Sequence, residues 1–99
     1  MNYIIPKEVT LMKINVSHYK KAGKEFFWNG GTLYIKNSKI ILKNLFKTVA
    51  VFDAYMVKFI TLPDELLYKT VKISDGEKGY ILLFTKSNYR KLYESLKYR

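Results

Sequence analysis

The residue type whose placement most clearly suggests a function is lysine. Three lysines fall close together after the first apolar run of the chain, and four more follow over the next hairpin and its exit. They are Lys20, Lys21, Lys24, Lys36, Lys39, Lys43 and Lys47. An ammonium group is a mobile point charge that lacks the bidentate geometry of a guanidinium. We therefore predict a salt-sensitive, weakly specific anion-binding surface, with an ordinary solvated face as the alternative.

A run of three aromatic residues precedes that hairpin. Phe26, Phe27 and Trp28 are consecutive, and adjacent side chains of a strand point to opposite faces. At least one of the three should therefore lie away from the core. On that side Trp28, or Tyr34 in the following strand, could stack on a nucleic-acid base or enter a membrane interface. The alternative is that the exposed ring packs beneath the N-terminal segment or the C-terminal helix.

Residues suited to catalysis or metal binding are few and scattered. His18 is the only histidine and the chain has no cysteine, so a thiolate site is excluded and a histidine relay would depend on one residue without an orienting partner. The acidic pairs Asp64-Glu65 and Asp75/Glu77 lie in turn-like sequence, where carboxylates have local structural roles. We predict a protein that is not an enzyme and has no catalytic residues, no metal site and no cofactor.

The length and apolar content indicate one domain. A chain of 99 residues has the size of a single domain, and we assign residues 1–99 to it. The longest apolar stretch, Tyr80–Phe84, is far shorter than the roughly 20 residues that cross a bilayer. The apolar residues before Pro6 are too few for a signal peptide. We therefore predict a cytoplasmic location.

The net charge is the most informative bulk property. The chain has eighteen basic and eight acidic residues, for a formal charge of +10. This charge favours nucleic acid, acidic lipid or an acidic protein face as the partner. Sixteen of the basic residues are lysine and only two are arginine. That bias is also typical of A+T-rich coding sequence, so the sequence leaves open whether the charge is functional.

Short apolar runs separated by turn residues at intervals of about ten residues are typical of an all-β domain. Asn29-Gly30-Gly31 has the composition of a tight hairpin turn, and Ser17–Lys24 is interpreted as a basic loop. The predicted strands are Val9–Val16, Glu25–Trp28, Thr32–Lys36, Lys39–Leu42, Val49–Phe52, Met56–Ile60, Thr70–Ser74 and Tyr80–Thr85. The fifth and sixth could be one bent strand. The last is apolar on both faces, so we expect it to be central.

The remaining segments have helical signals. Leu62–Lys69 contains Pro63 followed by two acids, which suits either a first helical turn or a loop with one such turn. From Ser87 or Asn88, each a suitable N-cap, the period changes to about 3.6. Four apolar residues of this C-terminal helix fall on one face, which needs an apolar surface to cover. They are Tyr89, Leu92, Tyr93 and Leu96.

Six or seven strands followed by one helix is the element order of the pleckstrin-homology (PH) superfold. The sequence pattern of residues Gly31–Leu42 resembles the hairpin of GRAM and bacterial PH-like domains. The segment Val71–Tyr98 is similar to the closing hairpin and helix of that family. The resemblance implies a PH-like barrel or sandwich of six to seven antiparallel strands capped by the helix. It also implies that the loop after the first strand and the next hairpin lie at the open end, where family members bind anionic headgroups.

We therefore expect a non-catalytic binding or adaptor module that presents a basic face to a protein or an anionic surface. The alternative is a small basic nucleic-acid-binding protein that uses lysines and exposed aromatic residues. Both functions require the lysines to collect on one side of the fold. An enzyme of unknown type is a third and weaker interpretation.

Overall fold

The computed structural model describes residues 12–23, 28–36, 38–65 and 67–96. These ranges contain seven β-strands and one α-helix, so the prediction of a mainly β fold with a C-terminal helix is confirmed. The elements are β1 (Met12–Lys21), β2 (Asn29–Lys36), β3 (Lys39–Lys43), β4 (Thr48–Asp53), β5 (Lys58–Glu65), β6 (Tyr68–Ser74), β7 (Gly79–Phe84) and α1 (Lys86–Leu96).

All seven strands belong to one antiparallel sheet in the order β4-β3-β2-β1-β7-β6-β5. Strand β1 is in the middle because its first half pairs with β2 and its second half, His18–Lys21, pairs with β7. The β1–β2 register shifts between Val16 and Tyr19, and such an irregularity bends a strand. The sheet therefore curls into a half-barrel whose edges are β4 and β5.

The core fills the concave side of this half-barrel. Alternate residues of the strands point inward, as the period of two requires, and β7 is buried at Leu82, Leu83 and Phe84, which confirms its predicted central place. Leu92 of α1 joins the same cluster and is completely buried. Burying one leucine side chain contributes about 1.5–3 kcal/mol, so this residue attaches the helix to the sheet.

Helix α1 (Lys86–Leu96) begins two or three residues earlier than the sequence predicted. Thr85, not Ser87 or Asn88, is the N-cap, because its Oγ1 accepts a hydrogen bond from the backbone N–H of Asn88 at 3.3 Å. The predicted apolar face is otherwise confirmed at its described positions. Tyr89 and Tyr93 are half-buried, and their hydroxyls lie 3.4 Å and 2.5 Å from Oγ1 of Thr61 on β5.

The predicted turn at Asn29-Gly30-Gly31 is wrong. These residues open strand β2, and neither Gly30 nor Gly31 has a positive φ. A Cβ on Gly31 would lie 2.8 Å from the carbonyl oxygen of Lys43 and 3.0 Å from the Tyr19 ring. Glycine is therefore needed at position 31 because neighbouring chains approach closely, and not because the backbone turns.

The predicted basic loop is mostly strand. β1 continues through Lys20 and Lys21, followed by a turn at Ala22-Gly23 in which Gly23 has a φ of 104°. Lys24 lies outside the described residues, as do the first three residues of the predicted strand Glu25–Trp28. The ammonium groups of this region are thus held on a sheet, at its junction with β7.

The segment around Pro63 is a strand and not a helical turn. It lies in β5, which is a sheet edge, the place where proline is tolerated because its missing N–H breaks no ladder bond. The pairing with β6 shifts between Leu62 and Glu65. Val49–Phe52 and Met56–Ile60, which the sequence left as one strand or two, belong to separate strands, β4 and β5.

Candidate functional site: a basic groove on the outer face

The structure divides the predicted lysines between different parts of the sheet. Lys43 pairs with Thr32 near the start of β2, whereas Lys36 and Lys39 pair with each other at its end. Four residues of strand separate the two positions, or about 13 Å. Lys47 lies in the turn after Lys43. The remaining described pair, Lys20 and Lys21, lies at the end of β1 against β7.

Residues in register place lysines and apolar side chains in one row on the convex, outer face. Lys13 pairs with Tyr34, Tyr34 with Ile41, and Ile41 with Val51. In the next row Thr32 pairs with Lys43. The Lys43 ammonium lies 5.5 Å from the centre of the Tyr34 ring, within the range of a cation–π contact. The predicted aromatic Tyr34 is thus between two lysines.

An open groove of about 720 Å³ runs across this face. Its floor includes Gly30, which has no side chain, and Thr32; its sides carry Lys13 and Lys43. The full lining is Lys13, Asn29, Gly30, Gly31, Thr32, Tyr34, Lys43, Asn44, Leu45 and Phe46. We call it the basic groove, because it contains two lysines and no acidic residue.

The β3–β4 turn forms one rim of the basic groove, and Asn44 shapes it. The Asn44 Oδ1 accepts hydrogen bonds from the backbone N–H groups of Phe46 and Lys47, both at 2.8 Å. Its backbone N–H donates to the Lys47 carbonyl at 2.9 Å. This turn leaves Leu45 and Phe46 each 88% exposed; we call the pair the hydrophobic tip. These two residues were not among the site residues predicted from the sequence, although an apolar pair lies between Lys43 and Lys47 there.

The charge of the groove is not neutralised locally. Within the described part of the chain, the ion pairs join Lys69 to Asp64 at 3.2 Å and Lys78 to Asp75 at 2.8 Å. Neither lysine lines the groove. The ammonium groups that do line it therefore have no carboxylate partner among the described residues, and are available to an anion.

The ring of Trp28, one of the predicted aromatic contacts, is partly covered by the rest of the protein. Trp28 is half-buried, and the ammonium of Lys20 lies 4.6 Å from the centre of its ring. By contrast Phe46 and Tyr55 are 88% and 85% exposed. The aromatic side chain at the groove that is most available to a partner is thus Phe46, which is not one of the aromatic contacts predicted from the sequence.

His18 and the acidic pairs are in surroundings that do not suggest chemistry. His18 lies within β1, its ring edge-on to Tyr68 at 5.5 Å, and its buried Nδ1 has no hydrogen-bond partner among the residues that the structure describes. Asp75 accepts hydrogen bonds from the backbone N–H groups of Glu77 and Lys78, which confirms its predicted role in the turn. In the described ranges no three histidine, aspartate or glutamate side chains come together to hold a metal ion.

No model of a protein family matches this chain, and neither a curated protein nor a solved structure matches it. In the part of the chain that the structure describes, no helix has the length and apolar character needed to cross a membrane. The functional evidence is therefore the geometry and charge of the basic groove.

Proposed function

We propose that this protein is a non-catalytic binding module that holds an anionic partner in the basic groove. The observation that carries the proposal is the pair Lys13 and Lys43, which lie on either side of Thr32 with no carboxylate partner among the described residues. Anionic groups of a partner replace the missing counter-charge. The +10 charge of the chain draws such partners toward the protein from a distance.

The same proposal includes a PH-like fold. In support, the sheet runs as a meander from β1 to β4 and from β5 to β7, β1 joins its two halves, and the chain ends in a helix over the concave side. The turn after β1 and the β3–β4 turn lie at the same end of the sheet, because Tyr19 pairs with Asn29 and Lys43 with Thr32. A cytoplasmic site of action belongs to this proposal too.

The chemistry of the groove predicts how binding responds to conditions. Lysines attract anions as point charges and do not select a bidentate geometry. Exposed charges are screened beyond a Debye length, which is about 10 Å at 0.1 M salt and about 3 Å at 1 M. Binding is therefore broad in specificity and falls steeply with salt.

The test is binding of the full chain to phosphatidylcholine vesicles with and without phosphatidylserine, and to a random single-stranded DNA. The variant Lys13→Glu/Lys43→Glu reverses both groove charges. The matched control Lys86→Glu/Lys91→Glu makes the same change of net charge on exposed positions of α1. At about 1 kcal/mol per lysine near an anionic surface, we expect the groove variant to lose at least about tenfold in affinity for its anionic partner. Equal losses in both variants would show that only net charge matters, and would refute the groove.

A nucleic-acid partner is the second candidate, and the position of Phe46 favours it. This ring is exposed at the rim of the groove beside Lys43 and Lys47, and stacking of a base on an aromatic side chain contributes about 1–3 kcal/mol. Phe46→Leu keeps the apolar surface but removes the ring. Its affinity for DNA should fall about fivefold or more if stacking operates, whereas binding to lipid should change little.

A further inference from the structure

Strand β4 presents a free backbone edge. In its ladder with β3, the N–H of Ala54 donates to the carbonyl of Ser38 at 2.7 Å. Antiparallel ladders alternate, so Ala50 and Phe52 also bond inward to β3. The N–H and C=O groups of Val51 and the N–H of Asp53 therefore face outward, and no described strand pairs with that side. The carbonyl of Asp53 is already bonded within the next turn, where it accepts from the N–H groups of Met56 and Val57.

The two sheet edges differ in how they are protected. β5 contains Lys58 and Pro63, and its pairing with β6 is irregular; these are devices by which sheets resist edge-to-edge pairing. β4 (Thr48–Asp53) has no lysine and no proline. Its Val51 side chain is 43% exposed. The β4 edge is thus open to pairing with another strand.

Exposed apolar side chains are concentrated along this same edge. Eight large hydrophobic residues are exposed in the described part of the chain, and five of them lie on β4 or on the turns that flank it. These five are Leu45, Phe46, Val51, Tyr55 and Met56. A protein rarely collects its exposed apolar surface in one strip unless a partner covers it.

We infer that this strip is the interface with a second copy of the same chain, formed by antiparallel pairing of the two β4 strands. A two-fold axis beside Val51 pairs the outward backbone groups of Val51 in both copies. Phe46 lies in the turn before β4 and Met56 in the turn after it, so the two-fold axis brings the Phe46 turn of each copy to the same end of the paired strands as the Met56 turn of the other. Such self-complementarity is what a two-fold interface requires.

Side-chain rows on the outer face support this arrangement. The row Tyr34–Ile41–Val51 ends at the β4 edge, and the two-fold axis joins it to the same row of the second copy. A continuous apolar stripe results on one side of a 14-stranded sheet. Both basic grooves lie on that side. The dimer itself does not depend on the proposed anion binding, because the interface uses backbone and apolar contacts.

The charge of the chain gives the dimer a distinctive salt response. Two copies that each carry +10 repel one another, and salt screens this repulsion. Dimerisation therefore strengthens as salt rises, whereas anion binding in the groove weakens. A failure of one proposal can thus be distinguished from a failure of the other.

The first test is analytical ultracentrifugation of the full chain at low salt and at about 1 M salt, where the Debye length is roughly 3 Å. We expect a species of twice 11.7 kDa that grows with salt. Val51→Pro removes an outward N–H without breaking a bond to β3 and should be monomeric. Val51→Thr keeps that N–H and should dimerise. A wild-type chain that stays monomeric at the higher salt overturns the inference.

A second test does not rely on the proline variant folding. The chain has no cysteine, so Val51→Cys introduces a single thiol beside the two-fold axis, where facing residues are within disulfide reach. Under mild oxidation it should form a covalent dimer at least about tenfold faster than Glu77→Cys on the exposed β6–β7 turn, because pairing raises the effective thiol concentration. Equal rates for the two variants would refute the β4 interface.

Discussion

The side-chain amide of Asn44 donates a hydrogen bond to the hydroxyl of Tyr19, with 3.1 Å between the nitrogen and the oxygen. Tyr19 belongs to β1 and is only 5% exposed, so this bond ties the β3–β4 turn to the core. The same asparagine closes the turn through its Oδ1. One side chain therefore fixes both the shape of the hydrophobic tip and its place at the rim of the basic groove.

Removing that side chain should loosen the rim and lower stability. Asn44→Ala loses the bond to Tyr19 and both acceptor contacts within the turn, and we expect a loss of about 1–2 kcal/mol in the free energy of unfolding. Tyr19→Phe loses one bond and should cost about 0.5–1.5 kcal/mol. Urea denaturation measures both. If Asn44→Ala costs no more than Tyr19→Phe, the contacts within the turn contribute nothing to stability.

Adjacent glycines in β2 should respond in opposite ways to the same substitution. A Cβ on Gly31 would lie 2.8 Å from a backbone oxygen of β3, which cannot move away without shifting the strand, whereas a Cβ on Gly30 would meet only the Ser17 carbonyl, at 3.9 Å. Gly31→Ala should therefore cost about 1–3 kcal/mol. Gly30→Ala should be neutral or stabilise by about 0.5–1 kcal/mol. Equal effects in thermal or urea unfolding would contradict the close approach at position 31.

The turn between β6 and β7 should make stability depend on pH in acid. The side-chain hydrogen bond from the Lys78 ammonium at 2.8 Å, helped by the backbone N–H groups of Lys78 and Glu77, holds the pKa of the Asp75 carboxyl well below its usual range. A carboxylate with a lowered pKa in the folded state stabilises it above the unfolded pKa, about 3.9. That contribution is lost as the pH falls toward the folded pKa.

Asp75→Asn is the variant that isolates this effect, because it keeps the acceptor oxygen of the turn but not the charge. We expect wild type to have the higher melting temperature at pH 7 and the difference to shrink steadily below about pH 4. Glu94→Gln is the control, since Glu94 is exposed and forms no ion pair among the described residues. A difference between wild type and Asp75→Asn that is constant with pH would exclude the charge as its source.

The strands and the helix could be predicted because each has its own local pattern. Short apolar runs next to turn residues identified β3 and β6, and the two-sided apolar run identified β7 as central. The failures were at positions where partners distant in sequence decide. Gly31 has the composition of a turn, but the carbonyl of Lys43 makes glycine necessary inside a strand. Pro63 suited a helix start, but β5 is an edge strand, where the missing N–H of proline breaks no ladder bond.

The candidate site could be predicted only where its residues are close together in the sequence. Lys43 and Tyr34 were selected from the sequence, since both belong to one hairpin. Lys13 was not selected, because its place beside Tyr34 depends on the β1–β2 register. Phe46 was not selected either. Its exposure follows from the Asn44 turn, whose anchor is Tyr19, 25 residues away in the sequence.

A charge placed in the floor of the basic groove tests the groove without touching a lysine. Gly30 lines it and has room for a side chain, so Gly30→Glu should fold with stability within about 1 kcal/mol of wild type. It should put a carboxylate into the groove two residues along β2 from Thr32, the partner of Lys43. We expect its affinity for anionic vesicles or DNA to fall by at least about tenfold, because the lysines gain an internal counter-ion.

Gly30→Gln has nearly the same size without the charge, and it separates filling of the groove from neutralisation. If charge governs binding, Gly30→Gln retains most of the wild-type affinity and its dependence on salt. If shape governs binding, both variants lose affinity together. Cosedimentation with anionic vesicles and DNA anisotropy at two salt concentrations measure the two cases. Unchanged affinity in Gly30→Glu, with the fold intact by circular dichroism, would place the anion-binding surface elsewhere on the molecule.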